Sequence, residues 1–137
     1  MSRNALIDAG PLVALFSRKD SNHNLCVSAS KEMSPPYLTS WPVLTETAWL
    51  LRHYPIAIRE LLQSIEKGFL RILDLDHHFI GWSVAFFERY ENIGVQLADA
   101  SLVYLAEREK IFEVFTLDRR DFTVYRTTRN RALNIIP

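Results

Sequence analysis

Apolar and polar positions along the chain alternate between short continuous runs and helical stripes, and the alternation itself predicts the elements. "NALID" is a short apolar run ending in a carboxylate, which predicts a strand over Asn4–Asp8. A helix is expected to open at Pro11, because proline suits the first helical position. A second helix is predicted over Ser21–Lys31 and is stopped by "MSPP", whose rings cannot continue the hydrogen-bond ladder. "YLTS" at 37–40 reads as a strand and "PVLTETAWLLRHY" at 42–54 as a helix that again opens on proline. Residues 55–68 carry Ile58, Leu61, Leu62 and Ile65 as one apolar stripe, with Gly68 at the C-cap position. The run at 70–75 predicts a strand, 77–91 a helix, 96–110 the clearest helix, and 111–117 and 132–136 two closing strands.

Strands alternating with helices throughout imply an α/β chain whose mostly parallel sheet has helices on both faces. In such sheets ligands bind beyond the carboxyl ends of the strands, where strand order reverses. Asp8, at the end of the first strand, falls on that edge.

Composition narrows the class. The 137 residues predict a single domain over 1–137, and 48% hydrophobic residues can fill its core. No apolar stretch approaches the ~20 residues that span a bilayer, so no membrane partner is expected. "MSRNALIDAG" lacks the apolar core and cleavage site of a signal peptide, and the expected location is cytoplasmic. Cys26 is the one cysteine, which excludes an intrachain disulfide and a thiolate metal cluster. Sixteen basic residues balance sixteen acidic ones, an argument against a nucleic-acid binder. The distribution softens that argument: residues 119–131 hold five arginines (119, 120, 126, 129 and 131) against Asp121 alone.

Four carboxylates stand where apolar neighbours predict burial. Asp8 at a strand-to-helix turn also suits an ordinary N-cap. Glu46 has Val43 at i−3, Trp49 at i+3 and Leu50 at i+4, so it projects from an apolar helix face; its ordinary alternative is an interior ion pair with Arg52 or Arg59. Asp99 shares a face with Val95, Leu102 and Val103, and the alternative there is the first-turn preference for negative charge. Small neighbours Ala98, Ala100 and Ser101 would let other backbone approach it. Asp118 ends its strand as Asp8 ends the first, and Thr116 two residues earlier points to the same side. Asp121 is either an alternate to Asp118 or, preferably, a helix N-cap. Four acids converging on one sheet edge would repel one another unless cations sat between them. Oxygen donors with no clustered histidine select Mg²⁺ or Mn²⁺ rather than zinc, and such sites serve phosphodiester cleavage. Ions neutralising these acids would also tip the charge balance toward basic.

"LIDAGPLVALF", "LTETAWLL", "LADASLVYLAER" and "FTLDRRDF", in this order, resemble the four acidic motifs of the PIN-domain nucleases, and specifically the VapC-type toxins of toxin–antitoxin pairs. The resemblance covers essentially the whole chain. It implies a three-layer α/β/α sandwich with a parallel sheet of four or five strands. It also implies a Mg²⁺- or Mn²⁺-dependent endoribonuclease acting on RNA, usually a homodimer and inhibited by a cognate antitoxin protein. Carried over by position, Asp8, Glu46, Asp99 and Asp118 would be the catalytic metal ligands, with Thr116 supporting the last. A water deprotonated with help from one carboxylate would attack the phosphate in line. Many members have Ser or Thr two residues after the first Asp, where this chain has Gly10, so a hydroxyl contact is missing and the Gly10 N–H is its candidate replacement.

Arg119 and Arg120 directly follow Asp118 and are candidate RNA-phosphate contacts; a solvated loop is the alternative. Trp41, Trp49 and Trp82 are expected in the core or a dimer interface, and His77 and His78 on the surface. The competing function is a non-catalytic PIN-like RNA- or protein-binding module. A phosphotransferase of the haloacid dehalogenase type would need Asp-x-Asp at the first strand, where Gly10 stands instead.

Overall fold

The computed structural model describes residues 4–137; residues 1–3, which the single-domain expectation includes, lie outside the described residues. Five strands form one wholly parallel sheet in the order β3-β2-β1-β4-β5. They are β1 (Leu6–Ile7), β2 (Tyr37–Thr39), β3 (Leu70–Ile72), β4 (Glu113–Phe115) and β5 (Asn134–Ile136). Seven helices connect them among the described residues: α1 (Ala9–Phe16), α2 (His23–Ser30), α3 (Trp41–Leu50), α4 (Pro55–Glu66), α5 (His78–Arg89), α6 (Leu97–Glu109) and α7 (Arg119–Phe122). The architecture is the expected α/β/α sandwich.

The order of strands matters for the site. From β1 the chain runs outward through β2 and β3, then crosses back to lay β4 on the other side of β1. Strand order therefore reverses between β1 and β4, and the crevice beyond their carboxyl ends is the expected ligand position. Both residues of β1 are fully buried, as a central parallel strand requires.

Several boundaries differ from those read in the sequence. Each strand is shorter, because pairing stops where the chain turns into the next helix. Helix α1 starts at Ala9, so Pro11 is its third residue rather than its first. Helix α3 starts at Trp41 and ends at Leu50 rather than Tyr54. Within α4 the buried line is Ala57, Leu61 and Ser64, and Leu62 from the expected stripe is exposed. Small side chains at 57 and 64 let α4 lie close against its neighbours, which rotates the buried face away from Leu62. Helix α7 was not anticipated; four residues are too few to show a period.

Helix α6 is the most buried helix, with every residue from Ala98 to Ala106 buried. Ser40 and Ser101 tie α3 to α6 through a 2.7 Å hydroxyl–hydroxyl hydrogen bond. Ser40 also caps α3 by accepting the Val43 N–H, and Ser101 donates to the Ala98 carbonyl. The small residues around Asp99 thus allow the close helix approach their size suggested.

Candidate active site

Ile7 ends β1, and Asp8 follows with extended backbone, its N–H donating to the Phe115 carbonyl of β4 at 2.9 Å. Asp8 occupies the N-cap position of α1, yet its carboxylate makes no capping hydrogen bond. It accepts instead from the buried Thr116 hydroxyl, 2.8 Å away. The same Thr116 oxygen accepts the Asp118 backbone N–H at 3.0 Å. One hydroxyl therefore clamps the ends of β1 and β4 together. The support expected for Asp118 reaches its backbone, while the carboxylate held is that of Asp8.

Asp118 is the N-cap of α7, accepting the Asp121 N–H at 3.2 Å. This corrects the reading of Asp121 as the cap: the helix begins at Arg119, one residue after Asp118, so Asp121 sits inside its first turn. Asp99 stands in the first turn of α6, buried, and accepts the Tyr125 hydroxyl at 2.8 Å. Tyr125 is itself inaccessible, wedged among Phe86, Tyr90 and Phe122. Glu46 is half-buried on α3. Its expected apolar surroundings are only partly present, since Trp49 and Leu50 are 63% and 46% exposed while Val43, Leu44 and Thr47 go inward. The alternative ion pair does not form either: among the described residues Glu46 has no salt bridge, and Arg52 lies over the Trp49 ring instead.

Asp8, Glu46, Asp99, Asp118 and Asp121 all line one cleft of about 330 Å³, together with Gly10, Leu50, Gly94, Gln96 and Leu117. Gly10 does not serve an unusual backbone conformation. A side-chain Cβ there would meet Leu117 Cβ at 3.4 Å, an ordinary contact, so the missing hydroxyl reflects no steric prohibition.

Burial, reinforced by like charge, makes Asp8, Glu46, Asp99 and Asp121 hold their protons. Burial raises Asp8 most, opposed by the Ala9 amide and Thr116 hydroxyl and reinforced by Asp118. Burial and then the Asp8 charge raise Glu46. Asp99 is pushed up to about 7, by burial first; the Tyr125 hydrogen bond opposes this, and the charges of Asp8, Asp118 and Glu46 add to it. Asp121 is raised by burial and Asp118, with Arg120 offsetting. Tyr125 is raised by burial and the Asp99 charge, so its hydroxyl stays a donor.

One carboxylate oxygen from each of Asp99, Asp118 and Asp121 lies within 4.8 Å of the others. Three hard carboxylate oxygens so close together are the donor set a divalent cation satisfies. Asp121 thus belongs with Asp99 and Asp118, while Asp8 and Glu46 line the same cleft outside that tight trio.

No family model matches the chain. Over 134 residues it is 24% identical to Ribonuclease VapC26 of Mycobacterium tuberculosis, covering 96% of this chain and 99% of the relative. Among solved structures it resembles Mycobacterium tuberculosis VapC20, described as a sarcin–ricin loop cleaving toxin, with a TM-score of 0.76 at 19% identity over 85% of this chain and 91% of that one. It also resembles a chain of a toxin–antitoxin complex from Klebsiella pneumoniae, with a TM-score of 0.69 at 21% identity over 88% and 91%. The chain is thus similar over nearly its whole length to a VapC ribonuclease and shares the fold of VapC-type toxins.

In this VapC-like fold, Tyr125, Ser40 and the closeness of Asp121 to Asp99 had no sequence signal. Tyr125 lies 26 residues from its partner, and no local period predicts that contact. Arg119 donates to the Pro137 carbonyl, which occupies one of the two arginines expected to meet phosphate; Arg120 remains beside Asp121. His77 and His78 are exposed at the start of α5, as expected. Trp82 is half-buried, whereas Trp41 and Trp49 are exposed and so are not core residues.

Proposed function

We propose that the protein is a Mg²⁺- or Mn²⁺-dependent endoribonuclease, the toxin of a toxin–antitoxin pair acting on RNA in the cytoplasm. The observation that carries this reading is the meeting of five carboxylates at the switch point between β1 and β4, with Asp99 buried among the charges of Asp8, Asp118 and Glu46. VapC26, named a ribonuclease, is similar over nearly its full length, which supports RNA as the substrate class. The solved toxin–antitoxin complex supports an antitoxin protein as partner.

Asp99, Asp118 and Asp121 would hold the ion, and Asp8 completes the negative wall. When bound, such an ion lowers the pKa of water it coordinates and screens phosphate charge. Thr116 keeps Asp8 and the Asp118 backbone in fixed relation, and Tyr125 fixes one oxygen of Asp99, leaving the other free. Glu46, at the cleft wall and raised in proton affinity, would take a proton from the attacking water. Arg120, whose charge acts on Asp121, would meet a phosphate oxygen. A homodimer would use the exposed face of α3, where Trp41 and Trp49 stand two turns apart.

The test is Mn²⁺-dependent cleavage of a structured RNA by the wild type and by Asp8→Asn and Asp99→Asn. Loss of at least a hundredfold in both variants is expected; cleavage equal to wild type defeats the reading. Calorimetry showing no Mn²⁺ binding at millimolar concentration would instead favour a non-catalytic binding module.

A further inference from the structure

We propose that the turn at residues 126–131, with Arg89 and Lys110, is a second RNA-binding surface that grips the phosphate backbone of substrate outside the acidic cleft. The inference rests on the ribonuclease reading.

The turn is rigid. Arg126 and Ala132 form an antiparallel bridge, Thr127 N–H donates to the Arg131 carbonyl at 3.0 Å, and Asn130 N–H donates to the Thr127 carbonyl at 2.8 Å. Asn130 takes the left-handed conformation that closes the turn. Glu107 of α6 anchors it from below, accepting the Thr128 N–H at 2.6 Å and the Thr128 hydroxyl at 2.9 Å. Such a platform loses little freedom when a ligand binds.

Five cations cluster on this platform without carboxylate partners. Lys110, Arg129 and Arg131 line a hollow of about 610 Å³ on one side of Thr128. Arg89 and Arg126 line one of about 220 Å³ on the other. Among the described residues both salt bridges belong to Arg108, so none of the five is paired. The arginines are oriented by neutral groups instead. Arg126 donates to the Thr123 and Tyr125 carbonyls, and Arg89 to the Thr127 carbonyl at 3.4 Å. Arg131 lies over the Phe112 ring, 3.4 Å from its centre. Carbonyls and rings fix direction without cancelling charge. Glu107, the carboxylate lining the larger hollow, is engaged by Thr128 and Trp82.

Chemistry and position favour RNA over an acidic protein. Guanidinium groups match phosphate bidentately, and an exposed guanidinium backed by a ring offers a plane on which a base can stack. The surface lies at the far end of α6 from the cleft, joined to it by the Tyr125–Arg126 segment. Arg126 follows Tyr125, whose hydroxyl holds Asp99, and Glu107 lies eight residues along α6 from Asp99, about 12 Å at about 1.5 Å per residue. The zero net charge conceals this separation of acidic edge from basic flank.

The experiment measures binding of a labelled 20-nucleotide single-stranded RNA by anisotropy, in EDTA so that cleavage cannot proceed, across a salt series. Wild type is compared with Lys110→Ala/Arg129→Ala/Arg131→Ala and with Arg129→Glu alone, a change at an exposed position that spares the fold. The triple variant should weaken binding at least tenfold at low salt and reduce the slope of log K against log salt by about two, on about 0.7 per phosphate contact. Arg129→Glu should weaken it in the same direction. A slope and affinity equal to wild type in both variants, with unchanged Tm, would overturn the proposal. So would binding of polyglutamate that is lost in the variants while RNA binding is kept, which would assign the surface to an acidic protein. Failure of wild type to cleave RNA with Mn²⁺ while the salt-slope difference persists would remove the nuclease reading and leave the RNA surface standing.

Discussion

Thr116 and Tyr125 show how single hydroxyl groups organise the acidic cleft. Each donates to a buried carboxylate, and hydrogen bonds to charged groups contribute about 1.5–3 kcal/mol. Tyr125→Phe removes the one hydrogen bond that favours the charged form of Asp99, so Asp99 holds its proton to higher pH. The expected outcome is Mn²⁺ binding about tenfold weaker at pH 7, with the loss shrinking as pH rises, measured by calorimetry at pH 6, 7 and 8. Affinity equal to wild type at all three contradicts a positioning role. Asp8, Glu46, Asp99 and Asp118 stood out in the sequence because charge among apolar neighbours breaks a local pattern. Tyr125 breaks none: an aromatic residue in an apolar stretch reads as core, and it is core, with its hydroxyl as the exception.

At the level of elements, α3 departs furthest from its sequence pattern. Trp49 and Leu50 suggested an inward face around Glu46, and the structure turns both outward. Val43, Leu44 and Thr47 carry the packing against α1 and α6, which leaves Glu46 on the boundary between core and cleft. Large apolar residues predict burial, but nothing in a single chain's periodicity distinguishes burial in its own core from burial against another molecule. The strands and crossovers were readable because their runs are short, apolar and punctuated by proline; α7 and the rotation of α4 depend on packing partners distant in sequence. The exposed Trp41–Trp49 face yields a direct expectation. Trp41→Ser/Trp49→Ser should convert a dimer into a monomer in sedimentation analysis while leaving the far-ultraviolet dichroism unchanged, because neither ring contributes to the core. A wild type that sediments as a monomer at high micromolar concentration would rule out this face as a homodimer contact.

Across the whole molecule, the sheet concentrates negative charge at one edge, and global stability must register that concentration. Asp99 is raised from its ordinary 3.8 to about 7 in the folded protein, and Asp8 is raised as well. The folded state therefore binds protons more tightly at these sites than the unfolded chain does. Their contribution to stability is complete below about pH 4 and is lost as pH rises through about 7. For Asp99 alone the rise to about 7 corresponds to about 4 kcal/mol, a large share of the 5–15 kcal/mol typical of a domain. Asp76, lowered chiefly by its Tyr104 hydrogen bond, acts in the opposite sense, but only below the ordinary carboxylate range. Between pH 5 and 8, where about 2–3 kcal/mol of the Asp99 contribution is lost, the metal-free protein should accordingly lose about five to ten degrees in Tm, on about 2–4 °C per kcal/mol at this size. Asp99→Asn should flatten that decline, since the amide has no proton to lose. Mn²⁺ should reverse it, because cation binding competes with protons for the same oxygens and stabilises most where they are ionised. Scanning calorimetry at pH 5, 6, 7 and 8, in EDTA and in millimolar Mn²⁺, resolves the three behaviours. A metal-free Tm that is flat across this range would show that the carboxylates of the cleft ionise without strain, and would remove the electrostatic reason for a cation there.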